Sequence, residues 1–455
     1  MKNLSWIFLA LVITSCNNEE KPAFSIINGT VVNNVGETAL ILGNGFESRV
    51  PISDEGTFVD TLYLKTDGFY DLYVGRERTG IYLEKGKNLI INVDAEKFDE
   101  TIKYTGDLAN INNFLGAKSL WNEENMDFEN LFSKDESSFL QQLDYNQKSH
   151  NELYAEHKID NEQFKKKLDE DDRYARALMI ENYKDAYRYY SGDDTFNVSK
   201  GFYDELKDIN YKDTVAYRSS VTYQNLLQAH FNRLISAEKS DSLNNNGTIA
   251  YLEKVDSALP DGYAKDKMMS SFLQFGLKPD ESLEQAFNLY KNSNPNPDNL
   301  AKITAQYDKL KAITKGNPSP TFNYENHKGG TTSLESLKGK YVYIDVWATW
   351  CGPCLREIPS LKEVDKDYSN KNIQFVSISI DEPKDYEKWK AMVTDKQLVG
   401  LQLMADNNWK SKFVEDYAIL GIPRFILIDP QGNIVTADAP RPSDPELRKT
   451  LDRLL

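Results

Sequence analysis

Cysteine is nearly absent from this chain: 455 residues hold only Cys16, Cys351 and Cys354, so a disulfide framework is excluded and each thiol needs its own explanation. Histidine is as scarce, and His150, His157, His230 and His327 stand too far apart to suggest a metal cluster by spacing, so no metal is expected. Basic residues are in the minority, and the formal net charge of −16 comes from acids spread along the chain. That balance favours solubility and excludes a nucleic-acid partner. Long apolar runs are missing too. The longest candidate, residues 4–13, falls short of the roughly 20 residues that a membrane-spanning helix needs.

That short apolar run follows Lys2 and reads as a signal peptide, residues 1–15. It ends in Ile13-Thr14-Ser15-Cys16, which resembles the lipobox of bacterial lipoproteins, and the resemblance implies a lipid on Cys16. The polar Asn17-Asn18-Glu19-Glu20-Lys21-Pro22 that follows reads as a tether over residues 16–23. Several acyl chains on one residue anchor stably where a single chain would be marginal. The expected location is therefore the bacterial cell envelope, lipid-anchored and extracytoplasmic, most simply facing the periplasm.

Residues 24–106 alternate with period two in short runs (24–32, 38–42, 57–64, 68–74, 80–83 and 88–93) separated by Gly-, Asn- and Asp-containing turns. An antiparallel β-sandwich-like domain is expected there. It resembles the β-domain found ahead of thioredoxin folds in anchored lipoproteins, which implies a spacer or interaction module. Residues 107–315 shift to a period between three and four, so a central α-helical region follows. Its clearest stripe is Leu300, Ile303, Tyr307, Leu310 and Ile313, opened by Asn296 and Pro297. Tyr183, Tyr187 and Tyr190 are read as the edge of a helical core rather than a ligand box. Lys165-Lys166-Lys167 with Asp169-Glu170-Asp171-Asp172 are read as a solvated helix face. After Gly316-Asn317-Pro318-Ser319-Pro320 the pattern becomes α/β to the end, residues 316–455. Core strands are expected at 340–348, 373–380 and 424–428, and helices at 355–368, 386–394, 409–417 and 446–454.

The chemistry concentrates at Trp350-Cys351-Gly352-Pro353-Cys354, which follows an apolar strand and opens a helix. In that context a C-x-x-C pair means redox rather than metal. Two intervening residues let both sulfurs share the first helical turn, where free N–H groups and the helix dipole favour a thiolate on Cys351. Cys351 would attack a disulfide, and Cys354 would resolve the mixed intermediate. The only cofactor this requires is the redox-active Cys351–Cys354 disulfide itself. Asp345 lies in an otherwise apolar strand, where a carboxylate's pKa should rise, which suits a proton acceptor for Cys354.

Residues 342–354, with Glu357-Ile358-Pro359 after them, closely resemble thioredoxin and the TlpA/ResA branch of anchored extracytoplasmic thioredoxins. The resemblance spans roughly 317–455. It implies a thioredoxin fold with a cis-proline loop facing the cysteines, matched here by Gly421-Ile422-Pro423-Arg424. Pro423 would be the cis residue, and Ile422 would offer a backbone edge to substrate. Trp350 and Trp347 would shape the site. Asp345 matches the buried aspartate of thioredoxin, and Glu357 the active-site glutamate of the ResA-like branch. Arg424 departs from the small hydroxyl residue often found at its position, which leaves substrate preference open.

Gly352 and Pro353 resemble the reducing thioredoxins. A reductase is therefore expected, supplied by a membrane electron donor and acting on protein thiols and disulfides of the envelope. In the TlpA/ResA group the substrates include apocytochrome, as in cytochrome c maturation. The alternatives are an envelope adaptor whose thioredoxin domain is accessory, and a disulfide isomerase.

Overall fold

The computed structural model describes residues 24–33, 36, 38–43, 45–239 and 247–455, organised as two compact units, Met1–Arg233 and Leu234–Leu455. The expected signal peptide and tether, with Cys16, lie outside the described residues. No helix among the described residues is long and apolar enough to cross a membrane.

The first unit opens with eight strands: β1 (Ser25–Val32), β2 (Thr38–Gly43), β3 (Phe46–Pro51), β4 (Thr57–Leu62), β5 (Gly68–Val74), β6 (Glu77–Leu83), β7 (Asn88–Asp94) and β8 (Lys103–Thr105). They form two four-stranded sheets, ordered β4-β1-β7-β8 and β3-β2-β5-β6. In β5 every second residue is buried, as period-two side chains on a half-covered sheet require. All pairings are antiparallel except β1 with β7, which run parallel. Parallel neighbours need a long connection, and the whole second sheet supplies it. The turn between β3 and β4 demands glycine at Gly56. Its φ is +78°, and a Cβ there would fall 2.2 Å from the Val31 carbonyl oxygen.

Helices complete this core. Phe114, from helix Ala109–Asn125, and Phe164, from helix Glu162–Ser191, pack into the cluster formed by Ile27, Leu72, Tyr82 and Leu89. The buried Asn112 amide accepts from Tyr82 N at 2.8 Å and donates to Tyr82 O at 3.1 Å, which satisfies backbone groups on edge strand β6. Tyr183 is fully buried and donates to Lys134 O at 2.6 Å, a core role. The acidic run corrects the sequence reading, because only part of it is solvated. Lys165 and Asp169 pair at the surface, but Asp172 meets Lys118, and Asp171 accepts from Ser220 and Thr222. Helical periodicity turns every third or fourth residue inward, whatever its charge.

In the second unit, helices Gly247–Ala258, Tyr263–Gly276, Leu283–Asn292 and Pro297–Ala312 precede an α/β domain. Asn296 caps the last of these helices through Asp298 N, and Pro297 occupies its first turn. Ile303, Leu310 and Ile313 from the expected stripe are buried. The α/β domain contributes β9 (Asn323–Asn326), β10 (Thr331–Ser333), β11 (Tyr341–Trp347), β12 (Ile373–Ser379), β13 (Leu401–Met404), β14 (Arg424–Ile428) and β15 (Ile434–Thr436). They make one sheet in the order β10-β9-β13-β12-β11-β14-β15. The interior strand β11 runs parallel to β12 and antiparallel to β14. Tyr343, Phe375 and Phe425 pack with Leu361, Leu447 and Leu451, which come from helices Gly352–Asp367 and Pro445–Leu454. This is a thioredoxin fold, with the end of β11 delivering the chain to the cysteines.

Candidate active site

Strand β11 is buried along its length, and the chain turns at once into helix Gly352–Asp367. Cys351 is the N-cap of that helix: its Sγ accepts from Cys354 N at 3.2 Å, and Pro353 occupies the first turn, where no N–H is needed. The two sulfurs are joined in a disulfide across Cα atoms 5.3 Å apart, and both residues are only 4% exposed. A sulfur in this place has an N–H aimed at it and the positive end of the helix beneath it, so Cys351 is the one built to carry thiolate charge. Gly352 and Pro353 are exposed between them. Trp350 is half exposed beside Cys351, whereas Trp347 is buried beneath.

Asp345 sits behind Cys354. Both line a cavity of about 10 Å³, together with Trp347, Ser377 and Gln402. Burial pushes the Asp345 carboxyl up to about 7. A hydrogen bond from Ser377, directly opposite it in the β11–β12 register, opposes that shift, while the Glu357 charge adds to it. The carboxyl is thus poised to change protonation near neutral pH beside Cys354.

The Ile422–Pro423 bond is cis. Arg424, the next residue, pairs with Val346 in the β11–β14 register, which places Pro423 at the same end of the sheet as the cysteine turn. Arg424 does not point a free charge at that turn, because its guanidinium meets Asp438 at 3.1 Å. Glu357 also has another partner: its carboxylate accepts from Ser443 N at 3.0 Å and Ser443 Oγ at 2.9 Å, holding the loop before the last helix.

One residue of the site escaped the sequence reading. Asp381, 1% exposed, accepts from Thr349 N at 3.0 Å and Thr349 Oγ1 at 2.8 Å, and from Ser379 Oγ at 2.7 Å. It pins the turn two residues before Cys351. The alternation of Ser377, Ser379 and Asp381 with isoleucines was the available signal, since polar groups in a buried strand need partners.

The model of the AhpC/TSA family matches residues 315–437. The thioredoxin-like protein YneN of Bacillus subtilis (strain 168) is 27% identical over 140 residues, which make up 31% of this chain and 80% of that protein. The thiol-disulfide oxidoreductase ResA of the same organism is 27% identical over 124 residues, 27% of this chain and 66% of that protein. The alignment with a crystal structure of a Bacteroides vulgatus protein assigned as a thiol-disulfide oxidoreductase is 36% identical, with a TM-score of 0.29, and covers 32% of this chain and 99% of that one. Residues 315–437 thus form an AhpC/TSA-family domain of thioredoxin-like fold, with the activity of a thiol-disulfide oxidoreductase.

Proposed function

We propose that the chain is a lipid-anchored, extracytoplasmic thiol-disulfide oxidoreductase that works as a reductase on protein disulfides of the cell envelope. The observation that carries this reading is the Cys351–Cys354 pair at a helix N-terminus with Asp345 buried behind it. In the reduced enzyme the Cys351 thiolate attacks one sulfur of a substrate disulfide. The S–S bond breaks, a new one forms to Cys351, and the second substrate sulfur leaves as a thiolate that takes a proton from solvent. Asp345 accepts the Cys354 proton. Cys354 then attacks Cys351 Sγ, the first substrate sulfur is released, and the enzyme is left with its internal disulfide and the substrate with two electrons. Ile422 and Pro423 flank the attack site and offer backbone to the substrate, and Trp350 covers its approach. A membrane electron donor restores the dithiol.

Gly352-Pro353 between the cysteines supports the reducing direction, and Ile13-Thr14-Ser15-Cys16 supports the anchor. Equilibrating the protein against a dithiothreitol redox buffer tests the direction. A potential near about −270 mV is expected, and one near about −120 mV would make the protein a disulfide donor instead. Labelled palmitate should enter the wild-type chain in cells and be absent from Cys16→Ser.

A further inference from the structure

A groove of about 860 Å³ runs through the second unit, with one wall from the loop after helix Tyr263–Gly276 and from helix Pro297–Ala312, and the other from residues around Trp409 and Pro423. It continues the site described above: the Trp409 ring lies 6.4 Å from that of Trp350, the neighbour of Cys351, and Pro423 immediately precedes β14. Large apolar side chains are left in water along it. Phe275 is 76% exposed, Leu420 65% and Trp409 37%. Exposed apolar side chains that line one groove fit a binding surface better than a solvated face.

The charge of the groove opposes that of the chain. Lys302 and Lys309 stand seven residues apart, on one side of their helix, and neither takes part in an ion pair among the described residues. Lys278 and Arg424 share one carboxylate, Asp438, at 3.5 and 3.1 Å, so that trio keeps a net positive charge. Glu415 is the other acid on the walls. Four cations therefore face two carboxylates in a protein whose net charge is −16.

We infer that this groove seats an extended, acidic and apolar segment of the substrate protein while its disulfide is exchanged at Cys351. The inference rests on the oxidoreductase reading and adds the substrate's class: the helical wall selects flanking sequence, and the cysteines perform the exchange. Charged rims of this kind act mainly through encounter rate and choice of partner.

The test uses the reduced full chain and three probes: hydroxyethyl disulfide, and two cystine peptides identical except that four flanking positions are all Glu or all Lys. The wild type should prefer the Glu peptide. In K302E/K309E the ratio of the Glu-peptide rate to the hydroxyethyl disulfide rate should fall by about fivefold and the Lys-peptide ratio should rise, both differences shrinking with salt. Phe275→Ser should lower both peptide ratios. Equal wild-type rates on the two peptides, or ratios unmoved by the charge reversal, would overturn the inference and leave the oxidoreductase reading standing. A reduced wild type that exchanges with none of the three probes would remove both.

Discussion

Replacing Asp345 with asparagine should stabilise the oxidised protein at pH 8 and do nothing at pH 4. Asp345 is 9% exposed, and burial raises the pKa of its carboxyl from 3.8 to about 7. In the unfolded chain the same group ionises near 3.8. Between these values the folded protein holds a proton that the unfolded chain has released, so stability is fully present below the lower value and declines as pH rises to the upper one. Three pKa units correspond to about 4 kcal/mol, all of it lost by about pH 8. The asparagine side chain carries no charge at any pH and can still meet Ser377, so the variant escapes the loss. For a domain of this size the melting temperature of the variant should exceed that of wild type on the order of 10 °C at pH 8, with convergence by pH 4. Calorimetry from pH 4 to 8 checks this. The same substitution should remove from the disulfide-exchange rate the limb that rises near pH 7, since the proton acceptor proposed for Cys354 is then gone. Parallel melting curves for the two proteins across that range would refute the argument.

Glu357→Gln should cost about 1 kcal/mol, because one amide oxygen cannot keep both Ser443 hydrogen bonds at carboxylate strength. Removing its charge should also move the Asp345 limb to lower pH, a shift visible in the same exchange profile. Asp381→Ala leaves the Thr349 N–H and two hydroxyls unsatisfied in a buried turn, so a loss of about 3 kcal/mol and roughly tenfold slower exchange are expected. Asp381→Asn retains one acceptor and should recover most of the rate; failure to do so would deny the turn its positioning role.

What could be read from sequence was local. Cys351 to Cys354 announced themselves by spacing and by the strand ahead of them, and Asp345 by being the one carboxylate in an apolar run. Short or polar strands were not legible. In β3, Phe46–Pro51, the charged Glu47 and Arg49 project into solvent and pair with each other, and the run is not among the expected strands. Strand β13, Leu401–Met404, is only four residues long and is specified by its neighbours β12 and β9. The helix expected at 409–417 shrinks to Lys412–Asp416, because Ser411 is buried against Tyr324 and breaks the run. Buried charge was the hardest to foresee. Glu181 accepts from Tyr211 at 2.6 Å and His230 at 2.9 Å and also pairs with Arg233, partners 30 to 52 residues away. Burial alone would raise its pKa, yet those hydrogen bonds outweigh it and hold the carboxyl below the usual range. Such long-range satisfaction leaves no local trace.

The most direct test of the account is to mix the reduced protein with a disulfide-containing polypeptide and follow the products of wild type, Cys351→Ser and Cys354→Ser by non-reducing electrophoresis. Wild type should turn over and end as the intramolecular disulfide, Cys354→Ser should accumulate a mixed disulfide through Cys351, and Cys351→Ser should do neither. Equal turnover by Cys351→Ser, or trapping through Cys354 instead, would contradict the assignment of Cys351 as the attacking sulfur.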